Sequence, residues 1–282
     1  MLFRNIALLD RFDSDVREID LSSKNRTLKI RKIPKNELEE FLLPSEFRSS
    51  VEQTFRNAIE LGEDKYWLDY HYDVRDHQGM IQAFNTADED KEKTILALRL
   101  FKSGCIRMIF NVKKGERAPT HHFPIGLLRS GERTYSLSES ELASLKEFYR
   151  KTKDVAWERK KSKASLGIAL GRFTDGYERT RLEDKLIDYM IGLEALYLQG
   201  EGLGEFRYKM AHRAAVLLSD EKEERKKIFD MMKESYRLRS KIVHGWKYSL
   251  SPKKVWLVED RLRDSIRKFL ETPKPRWLDL IF

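Results

Sequence analysis

Apolar and basic residues alternate in "TLKIRKI", residues 27–33, with the period of two that a half-buried strand requires. Downstream the period changes. In "PSEFRSSVEQTFRNAIELG" the apolar residues Phe47, Val51, Phe55 and Ile59 recur at helical spacing, and Gly62 is placed to stop the helix. The aromatic-rich stretch "KYWLDYHYDV", residues 65–74, again has strand character. In "TILALRLFKSGCIRMIFNV" two β-type runs, residues 94–101 and 105–112, flank Lys102, Ser103 and Gly104, which predicts a hairpin closed by a three-residue loop. The first part of the chain therefore reads as mixed α+β.

After about Ser136 the pattern is helical. Ser138 and Glu141 have capping-box spacing ahead of Leu142, Leu145, Phe148 and Tyr149. The following "RKTKDVAWERKKSK" holds seven basic residues against two acidic ones. It can join two domains, face an anion, or form a solvated helix face. From Ala164 onward the stripes are those of a helical bundle. Leu166, Leu170, Phe173 and Tyr177 form one, and Leu186, Met190, Leu193 and Tyr197 form another after a break near Gly176. "QGEGLGE" is a glycine-containing loop, followed by a short helix carrying Phe206, Met210, Ala214 and Leu217. Asp220 and Glu223 have cap spacing for a long helix that ends near Gly245. A last amphipathic segment runs from about Lys253 to Leu270, before Pro273 and Pro275.

The long helix carries an anomaly. Projected at about 100° per residue from Ile228, Met232 lies at about 40°, Tyr236 at about 80°, Val243 at about 60° and Ile242 at about −40°. Arg239 falls at about 20°, near the middle of that apolar arc. A guanidinium keeps its charge there, so it needs a carboxylate, carbonyls, a wet cleft or an anionic ligand. His244 stands about 140° round from Arg239, too far for a tight pair within one helix. The two can flank a groove, and a second copy of the helix across a two-fold axis would bring two of each to one cleft. "RSKIVHG" also meets the description of an ordinary helix end, with basic residues opposing the dipole and glycine after the last turn. That description leaves the charge in the apolar arc unexplained.

Composition narrows the class. The chain has 282 residues, 40% of them hydrophobic, enough for a packed core of one large or two ordinary domains. Its 55 Lys and Arg against 46 Asp and Glu leave a net charge of +9, which suits a polyanionic partner or an evenly mixed basic surface. Cys105 is the single cysteine, which excludes a disulfide framework and a cysteine-based zinc site. The opening "MLFRNIALLDRFDSD" is interrupted by Arg4 and Asp10, so neither a signal peptide nor a membrane span is expected. The expected compartment is reducing, aqueous and cytoplasmic.

Arg239, four residues and then His244 match the R-x4–6-H motif of HEPN domains. The order "GRFTDGYERTRLEDKLIDYMIGLEALYL", "RYKMAHRAAVLL", "YRLRSKIVHG" resembles the ApeA-like HEPN branch of bacterial defence proteins, over about Ala164 to Leu270. The resemblance implies an α+β region over residues 1–160, with a sensor or regulatory role, and an all-α HEPN-like helical bundle over 161–282. It implies a homodimer and a metal-independent endoribonuclease that needs no cofactor, acting as a toxin or anti-phage effector. RNA is the expected substrate and a protein regulator or antitoxin a further partner. Arg239 and His244 carry over as the catalytic pair. The chain departs from the family's commoner pattern at Ser240, where many active members have Asn, Asp or His. Other HEPN proteins lack nuclease activity and act as binding or assembly modules for nucleic acid, nucleotide or protein, which is the alternative.

The residue chemistry suits RNA cleavage. RNA carries its own nucleophile, histidine exchanges protons near neutral pH, and arginine offers a planar fork of donors to phosphate oxygens. Glu194, on the mostly apolar "GLEALY" helix, is a candidate partner for Arg239 or for Arg213. Lys241 and Arg237, on the outer face, either hold RNA phosphates or are solvated. His71, His77, His121 and His122, with Asp69, Asp73 and Asp76, raise the question of a metal, but their spacings match no common zinc pattern. No P-loop, dinucleotide fingerprint or serine-nucleophile elbow is present. The aromatics of residues 66–72 either stack on bases or fill a core strand.

Overall fold

The computed structural model describes residues 2–23, 26–42, 50–115, 121–124, 132–200 and 204–272. The chain divides into two compact units, residues 1–151 and 152–282. The first contains an antiparallel sheet with helices and the second is helical, as the change of hydrophobic period implies.

In chain order the first unit contains β1 (Leu2–Asp10), β2 (Phe12–Ser14), β3 (Glu18–Asp20), β4 (Thr27–Lys32), α1 (Lys35–Leu42), α2 (Ser50–Gly62), β5 (Tyr66–Asp73), α3 (His77–Phe101), β6 (Arg107–Gly115), β7 (His121–Pro124) and β8 (Tyr135–Leu137). Six strands form one antiparallel sheet in the order β3-β4-β5-β1-β6-β7, while β2 and β8 pair in parallel as a separate two-stranded sheet, with Phe12 opposite Tyr135. The predicted strands at 27–33 and 65–74 are β4 and β5, hydrogen-bonded to each other. β1 lies between β5 and β6. Phe3 and Ala7 fall in one core cluster with residues of α3, and Ile6 and Leu8 fall in another with residues of α1 and α2. A strand buried on both faces loses its polar alternation. The aromatics of β5 are core residues; Trp67 and Leu68 are fully buried.

The predicted hairpin is corrected. Residues 94–101 are the last two turns of α3, and only the second run is a strand, β6. A short apolar run cannot distinguish a buried strand from a buried helix by period alone. Here the helix begins far upstream, where the Asp76 carboxylate accepts a 2.7 Å hydrogen bond from the Gly79 N–H. Ile95, Leu96, Ala97, Leu98 and Leu100 are all buried, so no polar face marks the helix. The predicted helix at Gly62 is α2; Phe47 lies outside the described residues, as do residues 201–203, Pro273 and Pro275.

Ser138 and Glu141 do form a capping box, on a 3-10 turn (Glu139–Glu141) that leads into α4 (Leu142–Lys160). The basic run forms the latter half of α4 and continues through Lys161 and Lys163 past its end. The second unit then contains α5 (Ser165–Glu178), α6 (Leu182–Tyr197), α7 (Phe206–Leu218), α8 (Lys222–Val243) and α9 (Pro252–Glu271). No strand interrupts residues 207–244. α6 packs against α5, α7, α8 and α9, and the stripes read from the sequence on α5 and α6 are buried.

The break expected near Gly176 falls at residues 179–181, between α5 and α6, and Gly176 itself is where those two helices touch. A methyl group there would stand 2.1 Å from the Tyr189 ring. That ring is fully buried, so it has little room to move. Gly176→Ala is therefore expected to destabilise the bundle by about 1–3 kcal/mol, outweighing the better helix propensity of alanine. A lower urea midpoint in hydrogen exchange of α5 and α6 checks it; a raised midpoint contradicts the steric clash.

Candidate functional site

α8 buries Ile228, Met232, Ser235 and Leu238, which span about −80° to 40° on its wheel. Arg239 lies within that arc, as the projection requires. Val243 does not follow the projection: it is 53% exposed, at the last residue of the helix. Asp220 does not cap the helix. The Ser219 hydroxyl instead accepts from the Glu221 N–H at 3.1 Å.

The end of α8 is a Schellman turn. The Trp246 N–H donates to the Lys241 carbonyl at 2.9 Å and the Gly245 N–H to the Ile242 carbonyl at 3.2 Å. Gly245 has φ of +70°, the left-handed conformation in which a side chain would be strained. His244 is the cap residue, with its N–H bonded to the Ser240 carbonyl at 3.0 Å. Its exposed ring stacks on Trp246, centroids 5.4 Å apart and planes at 30°. The turn thus fixes the histidine backbone and leaves the imidazole in solvent.

Arg239 faces the other way, toward α6. Its Nε lies 3.6 Å from Glu194 Oε1, and the side chains are 26% and 24% exposed. At that distance the pair attracts by charge without a hydrogen bond. Both atoms are shielded from solvent and neither has a hydrogen-bond partner. Burial pushes the Glu194 carboxyl above its ordinary value, and the Arg239 charge opposes the rise without cancelling it. Of the two cations considered for Glu194, Arg239 is the one beside it. Arg213 donates to the Tyr197 carbonyl at 2.6 Å, satisfying the C-terminal end of α6.

A folded-state pKa above the unfolded value makes the ionised carboxylate a liability. Its contribution to stability is present below the unfolded pKa and is lost as pH rises through the folded one. Glu194→Gln, which mimics the protonated form, is expected to raise the urea midpoint at pH 7. The gain should close as pH falls toward 4.5, the ordinary value for glutamate. A loss of stability at pH 7 would show that the ion pair outweighs burial.

Arg237 and Ser240 line a cleft of about 800 Å³ between the start of α7 and the end of α8. Arg237 also pairs with Glu234 at 2.9 Å. Lys241 is half-buried, with its carbonyl engaged in the terminal turn. The structure thus gathers Ser240, Arg237 and the base of His244 at one end of α8 and turns Arg239 inward. The cleft's remaining walls, including Arg207, Tyr208, Lys233 and Trp246, were not singled out from the sequence. Trp246, a large aromatic directly after the helix-ending glycine, was the available signal.

Of the residues weighed for metal binding, Asp69, His71 and Asp76 have other partners. Asp69 is fully buried and accepts from Arg4 Nε at 2.8 Å and Arg31 Nε at 2.8 Å, with His71 Nε2 at 3.0 Å. Burial opposes its charge, yet His71 and Arg4 hold its carboxyl well below the usual range. Asp76 is the cap of α3 and Asp73 ends β5. His77 opens α3, and His121 and His122 lie in β7. No cluster of three or more His, Cys, Asp or Glu placed to hold a metal occurs among the described residues. No helix among them is long and apolar enough to cross a membrane.

Compared with protein-family models, curated proteins and solved structures, the chain matches no family model and gives no significant match to a curated protein or a solved structure.

Proposed function

We propose that the protein is a HEPN-type, metal-independent endoribonuclease of the cytoplasm, a toxin or anti-phage effector that works as a homodimer, with residues 1–160 as its sensor or regulatory region. The observation that carries this reading is the end of α8. A solvent-facing histidine is fixed by a helix-terminating turn, and an arginine on the same segment has a buried Nε without a hydrogen bond. In the reaction His244 takes the proton of the RNA 2′-hydroxyl or delivers one to the leaving 5′-oxygen. The 2′-oxygen forms a bond to phosphorus, the bond to the 5′-oxygen breaks, and Arg239 stabilises the charged phosphorane between them. A second copy supplies the second proton-transfer group across the two-fold axis. Lys241 and Arg237 contact flanking phosphates, Ser240 lines the approach, and Glu194 and Arg213 support α6 and the Arg239 side chain.

The test is cleavage of RNA by the purified full chain in the presence of EDTA, with the product ends mapped. Products with a 2′,3′-cyclic phosphate and a free 5′-hydroxyl are expected, with DNA resistant. Metal-dependent cleavage leaving 5′-phosphates contradicts the mechanism.

One observation favours a second reading. Glu194 stands 3.6 Å from Arg239, and an arginine held by an internal carboxylate is a structural ion pair. On that reading the bundle is a non-catalytic HEPN module that binds nucleic acid, a nucleotide or a protein regulator. Absence of cleavage by wild type assigns the bundle to it.

A further inference from the structure

The α7–α8 cleft combines two features that seldom share a surface. It is lined by Arg207, Lys233 and Arg237, against Glu205 as the acidic lining residue. It also presents two large aromatic side chains to solvent, Tyr208 at 51% and Trp246 at 60% exposure. Neither ring is loose. Tyr208 lies parallel to His212, centroids 5.8 Å apart, and edge-on to Phe229 at 5.5 Å, and Trp246 leans on His244. The Lys233 ammonium sits 4.9 Å over the Phe229 ring, which keeps that cation beside the aromatic group.

Held aromatic faces interspersed with cations are the chemistry of single-stranded nucleic acid. Every base has a π-face to stack, and each phosphate a charge to neutralise. A duplex offers the charge but hides the base faces. We infer that this cleft is a subsite for an unpaired stretch of RNA, with a base stacked on Trp246 and flanking phosphates held by Arg207 and Arg237. Because Trp246 stacks on His244, a base seated there brings its own backbone to the imidazole. The inference rests on the proposed nuclease reading for its substrate and deepens it, assigning unpaired RNA rather than duplex.

The experiment measures binding apart from cleavage. A short fluorescein-labelled 2′-O-methyl RNA, which lacks the nucleophile, is titrated with the full chain by anisotropy, alone and annealed to its complement. The single strand is expected to bind more tightly than the duplex. Trp246→Ala should weaken single-strand binding about tenfold, with Trp246→Phe close to the parent. Arg207→Ala combined with Arg237→Ala should make the log–log salt slope shallower by roughly 0.7 for each phosphate that is no longer neutralised. No binding by the parent, equal or tighter binding of the duplex, or a Trp246→Ala protein within about twofold of the parent overturns the subsite. The two readings fail separately. A parent that binds through Trp246 but cleaves no RNA keeps the subsite and loses the nuclease. A parent that cleaves RNA while Trp246→Ala binds unchanged does the reverse.

Discussion

Glu259→Ala is expected to destabilise the helical unit by about 3–5 kcal/mol, the cost of breaking a buried ion pair from one side. Glu259 on α9 is 7% exposed and Arg263, one turn later, is 3% exposed. Glu259 accepts from the Tyr177 hydroxyl at 2.8 Å and the Tyr189 hydroxyl at 3.4 Å, and from the Arg263 guanidinium. Arg263 also donates to Asp260 at 2.5 Å and to the Tyr177 hydroxyl at 2.9 Å. Burial works against the arginine's charge, but Tyr177, Glu259 and Asp260 more than offset it. One network thus joins α5, α6 and α9 through the buried Tyr177, Tyr189, Glu259 and Arg263, with the partly exposed Asp260 at its edge. Alanine at 259 removes the more buried of the guanidinium's two carboxylates, leaving it Asp260, and takes away the acceptor that two buried phenols share. Replacing both charges with apolar residues of similar volume, Glu259→Met with Arg263→Leu, should cost much less, because no charge is left buried. Hydrogen exchange of α5, α6 and α9 amides against urea reads the helical unit separately. A single alanine variant within about 1 kcal/mol of the parent would show that the network carries little of the fold's stability.

The network also shows where sequence reading reaches its limit. Tyr177 was legible as the end of an apolar stripe, and it is buried as that stripe requires. Its hydroxyl's partner on α9 depends on how three helices pack, which no periodicity encodes. The same holds for Gly176: the break near it was legible, but that its missing side chain admits the Tyr189 ring was not. In the N-terminal unit the half-buried strand β4 was visible through its alternation. β1 carried no such signal, because α3 covers one face and α1 and α2 the other. The strand-like "TILALRLF" became helix because an Asp76 cap upstream starts a helix that the apolar run merely continues. Local composition was outweighed by the element already under way.

At the candidate site, a charge in an apolar arc could be read from one helix alone. That Arg239 needs a polar neighbour follows from its position on the wheel, and the structure places Glu194 there. The neighbour's distance, 3.6 Å rather than a hydrogen bond, comes only from the packing of α6 on α8. Of the cleft beside Trp246, only Arg237, Ser240 and that tryptophan after the helix-ending glycine were legible. The cleft's walls come from the start of α7, with Arg207 and Tyr208, and from the latter part of α8 and the turn after it, with Arg237 and Trp246, so the two sides lie far apart in sequence and meet only when α7 packs on α8.

On the proposed nuclease reading, Arg239→Ala and His244→Ala are each expected to lower the rate of RNA cleavage by about a hundredfold or more, with the fold retained. For His244 the reason is proton transfer. The exposed ring makes no core packing, so alanine removes the group that moves the proton and little else. Trp246 is left without its stacked imidazole, which should leave stability nearly unchanged. For Arg239 the reason is charge. The phosphorane carries more negative charge than the bound diester, and a guanidinium nearby favours it. Arg239→Ala also leaves Glu194 without its cation. The carboxyl then moves further in the direction burial already pushes it and protonates more readily, which limits the penalty. Partial exposure of both side chains limits it further. Arg239→Lys separates the two roles of the arginine. It keeps the charge and loses the planar fork, so a rate between parent and alanine variant is expected if bidentate phosphate binding matters. The readout is single-turnover cleavage of a labelled RNA in EDTA, beside a urea melt of each variant. Full activity in both alanine variants would remove Arg239 and His244 from the chemistry. Inactivity that tracks a collapsed melt would assign them to the fold.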